Sequence, residues 1–472
     1  MSSLKSTSQS SSEMKRTLSL LSCVTLVIGA MIGSGVFVFT GYGILLGGKS
    51  IGAAFIIASL LVLFTSLPNI YSAGAIPATG GQYMYVSRLV HPTVGYIHIL
   101  NATIGIFNVA LMGASFATYF KPFAPALDVR ITACAAILVL AVAATYGAKI
   151  SGMLQNVIVA IMLLALLSFV IPGLGKVQAQ FVTVGEAFIP DWAQFAKVWA
   201  AVAILRYTLM GGGVIFPMGD EVKNPRVTLP AAFFIGTIIV TALYALIGYI
   251  AVGVMPFEEI AGKPLSVAAA VVLGENTGMF SFFVVGGAML GILSTLNGSF
   301  MIYSRTHYAA AKDGIWPQVF AKLNKYGVPW VTVWTCAVVG FVVILGGLHV
   351  NDIMNFVAVP GLLMAFVYYI PPIMIAYKLP NCAKRAWFKI PQPLLIGICV
   401  ISVIVMFTLG RTLFARMQPS HYIGMIIFYI IGFIYWFFRT NYMKKQGKDL
   451  IGNMKTLHPY WLEIENKLDN EA

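Results

Sequence analysis

The run Gly29-Ala30-Met31-Ile32-Gly33-Ser34-Gly35 lies in the middle of the first long apolar stretch, which extends from Leu18 to about Leu46. Glycine inside a helix costs up to about 1 kcal/mol relative to alanine, so this cluster of glycines indicates an interrupted helix. A second run, Gly211-Gly212-Gly213, lies at a similar depth in the sixth apolar stretch. Paired glycine interruptions at corresponding positions of two halves are the best sequence indication of a transporter binding site. We therefore predict that spans one and six are both broken.

The composition of the chain indicates that most of the protein lies in lipid. Of the 472 residues, 59% are hydrophobic and 10% are charged, and the mean hydropathy is +0.86. A transmembrane helix needs about 20 mainly apolar residues. Twelve such stretches begin near Leu18, Ile51, Thr93, Val129, Ser151, Phe195, Leu229, Met279, Val331, Met354, Leu394 and His421. The sequence thus predicts an all-α membrane protein with twelve transmembrane helices in the lipid bilayer.

The distribution of basic residues predicts the orientation. If the N-terminus is cytoplasmic, twelve lysines and arginines fall in inner loops and nine in the tails, against eight in outer loops and Arg206 itself. Because cytoplasmic loops are enriched in positive residues, we predict a multi-pass cell-membrane protein (inner or plasma membrane) with both termini in the cytoplasm. This bias accounts for the net charge of +14, and no nucleic-acid partner is predicted. Residues 1–17 and 441–472 are predicted cytoplasmic tails, the first disordered, around a transporter domain over 18–440.

The two predicted breaks each open a set of five spans. An odd number of spans per half inverts the second half, so the breaks would face each other at the bilayer midplane. The N-terminal end of a resumed half-helix suits a carboxylate, and exposed carbonyls suit an ammonium group. The simplest ligand with both groups close together is an α-amino acid. The alternative is close helix packing, which small residues at spacing four, such as Gly29 and Gly33, also favour.

Arg206 lies in the middle of an apolar span. A charge near the bilayer centre costs roughly 3 kcal/mol on insertion scales and normally faces a bundle interior or a cavity. Three interpretations stay open. Arg206 binds an extra anionic group of the substrate, pairs with Asp352 as an outer gate, or lines a water-filled vestibule.

Other polar side chains within spans are further candidates. His98 and Asn101 in span three and Asn297 in span eight could contact the substrate or form a gate, or could only form hydrogen bonds between helices. Tyr368 and Tyr369 in span ten could close the inner side or could be core aromatics. The histidines and cysteines show no metal-ligand spacing, so we predict no catalytic residue, no metal centre of that kind and no cofactor. An intramembrane enzyme or a channel is the distant alternative.

Four segments, in order along the chain, resemble those of one transporter family. They are Ile32–Phe37, Pro77–Tyr85, Glu221–Pro225 with Pro230, and the stretch from Arg305 with Asp313-Gly314, Pro317, Phe320, Leu323-Asn324, Gly327 and Pro329. Over about residues 14–439 the chain resembles the amino acid, polyamine and organocation (APC) superfamily and its bacterial amino acid permeases and antiporters. The resemblance implies the LeuT-like fold, with inverted repeats over about 18–173 and 192–378 and two peripheral helices over about 392–440.

The resemblance also implies a binding site and a mechanism of alternating access. The substrate carboxylate would be bound by Gly33, Ser34 and Gly35, and its amine by carbonyls near Met31 and Met210, next to Gly211. Tyr207 falls at the position of an aromatic lid, and we include His98, Tyr369, Arg206 and Asp352 as candidate gate residues. Gly213 falls where arginine/agmatine antiporters of the family have an inner-gate acidic residue. Its identity as glycine argues against a proton sensor or a cationic substrate of their type.

The coupling mode is the last expectation. Proton-linked and heteromeric-type relatives have a lysine in span five that mimics sodium, and Met162 falls at that place. No aspartate or glutamate lies deep in a predicted span, so exchange of neutral or anionic amino acids, or closely related small zwitterionic metabolites, is the favoured mode. Ion-coupled symport of amino acids or organic anions stays open, since Ser294 and Thr295 could provide hydroxyls to a sodium site. The sequence makes no prediction about oligomeric state.

Overall fold

The fold is helical throughout the part of the chain that the structure describes. The structure is a computed structural model that describes residues 14, 16–33, 35–190, 193, 195–275, 277–347, 364, 366–384, 386–387, 389–414 and 419–469. The helices are α1 (Leu20–Met31), α2 (Gly35–Gly47), α3 (Ile51–Ala75), α4 (Gln82–Tyr85), α5 (Pro92–Gly105), α6 (Phe107–Phe120), α7 (Val129–Thr145), α8 (Ala148–Leu174), α9 (Val184–Phe188), α10 (Phe195–Leu205), α11 (Pro225–Gly253), α12 (Phe257–Ile260), α13 (Leu265–Leu273), α14 (Gly278–Phe282), α15 (Leu290–Asp313), α16 (Trp330–Leu345), α17 (Ile370–Lys378), α18 (Pro380–Lys384), α19 (Gln392–Phe414), α20 (Pro419–Lys445), α21 (Leu450–Lys455) and α22 (Pro459–Asp469).

Several helices in this list are apolar and long enough to cross a bilayer. Among the described residues there are seven, or eight if the bent pair Phe195–Leu205 and Thr208–Ile215 is one span. Three shorter apolar helices, Val129–Thr145, Trp330–Leu345 and Gln392–Thr408, lie where further spans are predicted. The predicted start of span ten, Met354, lies outside the described residues. The chain is therefore a multi-pass membrane protein.

The first span is interrupted within the glycine-rich run. Ser19 caps α1 by accepting the Ser22 N–H at 3.3 Å, and α1 ends at Met31. The chain resumes as α2 at Gly35. Ile32 and Gly33 lie outside both helices, and Ser34 lies outside the described residues. The interruption frees backbone groups within an otherwise apolar span.

The sixth span changes its helix type before its glycines. The α-helix α10 ends at Leu205, and residues Arg206–Ile215 form a 3-10 helix. The axis bends by 41° between the two parts. A 3-10 stretch of that length is uncommon because its hydrogen-bond geometry is poorer than that of an α-helix. The change of direction thus begins at Arg206, five residues before the glycine run on which the sequence prediction rested.

The glycines instead allow the two interrupted spans to touch. A Cβ atom added at Gly211 would lie 2.0 Å from the Ala30 carbonyl oxygen, and one at Gly212 would lie 2.4 Å from Met31 Cε. At Gly213 an added Cβ would meet only Phe216 side-chain atoms at 3.5 Å. Gly211 is therefore needed for the close approach of the two main chains, as the alternative of close helix packing predicts. Gly213 is not needed for this approach.

Candidate functional site

Two hydroxyl groups bind carbonyl oxygens that the break in span one exposes. The Tyr244 hydroxyl of α11 donates to the Met31 carbonyl at 3.0 Å. The Thr295 hydroxyl of α15 donates to the Gly29 carbonyl at 3.3 Å and to the Gly291 carbonyl at 3.1 Å. Each carbonyl oxygen has two lone pairs, so Met31 can accept one further donor. Sequence reasoning missed Tyr244, whose signal is a tyrosine within an apolar helix.

The start of α2 provides the donor side of the same break. The first four N–H groups of a helix have no partner within it and lie at the positive end of the dipole. A Cβ added at Gly33 would lie 2.7 Å from Thr295 Oγ1, and one added at Gly35 would lie 3.1 Å from Thr208 Cγ2. Both predicted carboxylate-binding glycines thus lie where a larger residue would meet a neighbouring span.

The predicted residues of span six lie next to this break. The side chain of Met210 is 48% exposed, in contrast to the buried Leu209. Gly211 contacts the main chain at Ala30, so the predicted site residues of the two spans are brought together there. The Tyr207 side chain lies outside the described part of the structure, so its prediction as a lid has no geometry to report.

Arg206 is buried against α19, in the region of the two predicted peripheral helices. Its side chain is 3% exposed, and Nη2 lies 3.0 Å from the Met406 sulfur of α19. The hydroxyl of Tyr369, another predicted gate residue, donates to the Thr65 carbonyl of α3 at 3.2 Å. Asp352, the predicted partner, lies outside the described residues.

His98 and Asn101 connect span three to other helices. A hydrogen bond of 2.6 Å joins His98 Nδ1 and the Tyr368 hydroxyl. Asn101 Oδ1 accepts a hydrogen bond from the Tyr429 hydroxyl of α20. Both side chains are 9% exposed. Of the roles considered from the sequence, these contacts correspond to hydrogen bonds between helices.

A fully buried polar cluster links α8 and α15 behind the break. Gln155 Nε2 donates to Ser294 Oγ at 2.5 Å and to the Thr25 carbonyl at 3.4 Å. Asn297 donates to Gln155 Oε1 at 2.9 Å and accepts from Ser151 Oγ at 2.8 Å. Asn297 therefore belongs to this cluster of protein hydrogen bonds. Ser294 and Thr295, the candidate sodium ligands, both bind protein groups here.

A buried ion pair lies on the side of the bundle that carries residues 16–18 and α21 and α22, which we call the tail side. Arg305 Nε and Nη2 each donate to a Glu221 carboxylate oxygen at 2.9 Å. The two side chains are only 1% and 2% exposed. The Glu221 carbonyl also accepts the N–H groups of Thr17 and Leu18 at 2.8 and 2.9 Å. Glu221 thus connects the start of span one with span eight.

A second buried ion pair lies on the tail side. Arg88 Nη1 and Nη2 donate to the two Asp313 oxygens at 2.7 Å, and the Tyr83 hydroxyl donates to Asp313 as well. The turn before Tyr83 passes through Gly80 and Gly81, with φ of 90° and 43°, a region that glycine enters without steric cost. Sequence reasoning missed both ion pairs. Their signal was a set of acidic residues at the ends of apolar stretches, within the family segments.

Within the described residues, no group of three or more His, Cys, Asp or Glu side chains could hold a metal ion. The described geometry is that of two interrupted helices in contact, with donors and acceptors of the main chain exposed at one break.

Comparison with known proteins identifies the family of the chain. A family described as amino acid permease matches residues 18–436. The chain is 26% identical over 448 residues to the branched-chain amino acid permease of Bacillus subtilis (strain 168), covering 88% of this chain and 93% of that protein. It is 26% identical to the methylthioribose transporter of the same organism, over 81% of this chain and 85% of that protein. It is 25% identical to the cystine/glutamate transporter of Homo sapiens, over 80% and 77%.

Proposed function

Because the chain belongs to the amino acid permease family, we propose that it transports amino acids or closely related small zwitterionic metabolites across a membrane by alternating access, as an exchanger. The family and the relatives are transporters rather than enzymes. The observation that carries the proposal is the interrupted first span. The first N–H groups of α2, which have no partner within that helix, are within a few residues of the Met31 carbonyl along the chain.

That interruption suits the two charged ends of an amino acid. The N–H groups at the start of α2, at Gly33, Ser34 and Gly35, would bind the carboxylate. The carbonyl oxygens near Met31 and Met210 would bind the ammonium group. Contact of Gly211 with Ala30 supports this placement because it holds span six against the break.

The names of the relatives support a neutral or anionic amino acid as the substrate. One relative is a permease for branched-chain amino acids and another a transporter for cystine and glutamate. Gly213 has no carboxylate to offer a cationic side chain. We therefore propose leucine, valine, glutamate and cystine as the first probes, with arginine as the contrasting cation.

The finer architecture is part of the proposal. Twelve spans, with repeats over about 18–173 and 192–378 in inverted orientation and peripheral helices over about 392–440, fit the family. The positive-inside distribution supports a cell-membrane location with the tail side in the cytoplasm. The ion pair of Glu221 with Arg305 would then belong to the closed cytoplasmic side.

Exchange without an ion gradient is supported by the hydrogen bonds of the candidate sodium ligands. Ser294 accepts from the Gln155 amide, and the Thr295 hydroxyl donates to two carbonyls. The Gln155 amide N–H already binds the Ser294 oxygen that a sodium ion would otherwise bind. Ion-coupled symport is the second candidate, and sodium dependence of uptake would favour it.

Arg206 is proposed to act in the outer part of the pathway. Its burial within an apolar span supports a specific anionic partner, which would be Asp352 in a gate or a second anionic group of the substrate. Arg206→Lys keeps the charge but loses the planar fork that binds a carboxylate at two points. A substrate-binding role predicts weaker affinity in Arg206→Lys. A gate role predicts altered turnover in Arg206→Ala, reproduced by Asp352→Ala, and wild-type behaviour of Arg206→Ala would leave only the vestibule.

The function is tested with purified protein in two steps. Thermal stability is measured with each probe amino acid, since a ligand at 100 times its Kd adds about 2.7 kcal/mol to native stability. Proteoliposomes preloaded with the stabilising amino acid are then given labelled amino acid outside, without sodium or proton gradients. We expect counterflow. Uptake only with sodium outside would overturn exchange, and failure of all amino acids in both steps would overturn amino acid transport.

A substitution tests the placement of the site. Gly35→Val adds bulk 3.1 Å or less from Thr208 and blocks close approach of a carboxylate to the N–H groups of α2. We expect loss of probe-dependent stabilisation and of counterflow, with the protein still folded in detergent. Normal counterflow in this variant would show that the substrate binds elsewhere.

A further inference from the structure

The last part of the chain is folded against the tail side of the bundle. We call residues 449–469, which contain α21 and α22, the C-terminal cap. Its apolar side chains Leu450, Met454, Trp461 and Ile464 are each 4% exposed or less. Trp461 is fully buried, its Nε1 donates to the Pro77 carbonyl at 3.1 Å, and its ring lies 6.1 Å from that of Tyr85. The cap therefore packs on the bundle through its own apolar face.

The cap binds the segment between α3 and α5. Besides the bond of Trp461 to Pro77, the Thr456 carbonyl accepts from Arg88 Nε at 3.1 Å. Arg88 is the same residue that forms the bidentate pair with Asp313. The cap is thus attached to one partner of a buried ion pair of the tail side.

The cap also binds the later part of the bundle. Asn453 Nδ2 donates to the Asp313 carbonyl at 3.1 Å. Glu465 accepts the N–H groups of Asn381 and Cys382 at 3.0 and 3.1 Å. These contacts lie at the end of α15 and in α18. One short segment is therefore attached to elements on both sides of the Arg88 and Asp313 pair.

A third attachment joins the cap to the loop after span six. His458 Nε2 lies 3.7 Å from Asp220 Oδ2, and Asp220 also accepts the Thr79 N–H at 3.0 Å. Burial by itself raises the pKa of Asp220, but the His458 side chain and the Thr79 N–H outweigh burial and hold this pKa below its ordinary value. Asp220 is thus a carboxylate, one residue before Glu221 of the other ion pair.

We propose that the C-terminal cap is an autoinhibitory clamp: it holds the tail side closed, and it has to release at least one set of its contacts before that side can open. The proposal rests on alternating access in the proposed function, in which elements of the two halves separate on one side at a time. A segment bound to both sets of elements cannot keep all its contacts when the two sets move apart. Its release therefore limits how often the tail side opens.

The contact between the cap and the bundle is not continuous. A cavity of about 670 Å³ lies between the cap and the bundle. It is lined by Thr456, His458 and Tyr460 of the cap and by Thr79, Lys312 and Asp313 of the bundle. The apolar side chains of the cap belong to one hydrophobic cluster with the bundle, so release of the cap would expose Leu450, Met454 and Trp461.

The test compares the full chain with a chain that ends at Lys448. The reporter is Ser304→Cys, a buried position next to Arg305, in a background in which the five native cysteines are alanine. We expect the truncated chain to react with a hydrophilic maleimide at least about threefold faster, the effect of one lost hydrogen bond. Counterflow of labelled leucine, glutamate and cystine should rise by a similar factor. Equal labelling and equal counterflow in both chains would overturn the clamp.

A point variant covers the case in which the truncated chain does not fold. Trp461→Ala removes the buried anchor, and Leu462→Ala, on the same helix but 40% exposed, is the matched control. We expect faster labelling of the cysteine at position 304 in Trp461→Ala only, and unchanged labelling there would overturn the clamp. The labelling does not depend on a substrate. If no amino acid is transported by any form, the proposed function fails while the labelling comparison still decides on the cap.

Discussion

The buried ion pair between Glu221 and Arg305 allows one prediction to be worked out in magnitude. Glu221→Gln removes the charge and leaves Arg305, which is 1% exposed, without its carboxylate in the closed tail side. Breaking a buried ion pair by removing one partner costs about 3–5 kcal/mol. Arginine cannot avoid this cost by losing its proton. The closed state should therefore lose stability relative to any state in which water reaches Arg305.

The size of the effect follows from the geometry. The pair is bidentate, with both N–O distances at 2.9 Å, and a glutamine oxygen can still accept one of these bonds. We therefore take the lower end of the range, about 3 kcal/mol, which corresponds to roughly a hundredfold change in the ratio of open to closed states. Neutralising an acidic residue on an exposed loop should have no such effect.

The assay measures opening through a thiol on the tail side. A cysteine at position 304 reacts with a hydrophilic maleimide only when the tail side opens, and its rate follows the open population when closing is fast. We expect labelling about a hundredfold faster in Glu221→Gln than in Glu258→Gln, an exposed control. Thermal unfolding is measured in parallel, so that global loss of structure is recognised. Equal labelling rates in two folded variants would refute the role of this ion pair in closure.

Three further substitutions test the packing around the break. Gly211→Ala places a methyl group 2.0 Å from the Ala30 carbonyl oxygen and should lower the free energy of unfolding by about 1–3 kcal/mol. Gly213→Ala, where the methyl group would make only ordinary contact with Phe216 at 3.5 Å, should be close to wild type; equal thermal stabilities would contradict the close contact. Tyr244→Phe removes the donor to the Met31 carbonyl and should cost about 1 kcal/mol, measured by thermal unfolding against Tyr249→Phe on the same helix; an unchanged midpoint would argue against that bond. Gln155→Leu leaves the buried Ser294 and Asn297 groups with fewer partners and should cost about 1–3 kcal/mol or more, compared with Gln180→Leu at an exposed site; wild-type stability would mean that the buried cluster is rearranged or hydrated.

The sequence predicts helix positions well because apolar length is a local property. Predicted spans begin at Ile51, Val129 and Phe195, and helices begin at the same residues. The break in span one also lies within the predicted run, since glycines weaken a helix where they stand. The predicted start of the tenth span, Met354, lies outside the described residues and has no geometry to compare.

The break in span six shows where local reasoning stops. Three adjacent glycines predict a loss of helix, but the α-helix already ends at Leu205 and the bend lies next to Arg206. Gly211 is required by a contact with Ala30, about 180 positions away along the chain. A single sequence gives the residue type and not the distant partner, so packing and interruption could not be distinguished.

The same limit applies to the candidate site, of which the sequence indicates only the features that lie within one segment. The glycines of the break follow from one segment, whereas the hydrogen bond of Gln155 to Ser294 and the pair of Arg305 with Glu221 join distant segments. Trp461 is the clearest case: its partner, Pro77, lies at the other end of the sequence. A predicted tail proves to contain a fully buried tryptophan.

The contact between Gly211 and Ala30 separates two properties of the molecule. It joins main chain to main chain, so no side chain at that point can be exchanged to suit another cargo. Side chains around it, such as the half-exposed Met210, are not restricted in this way. We therefore expect a change of substrate preference in this scaffold to come from the side chains around this contact, while Gly211 itself stays the same.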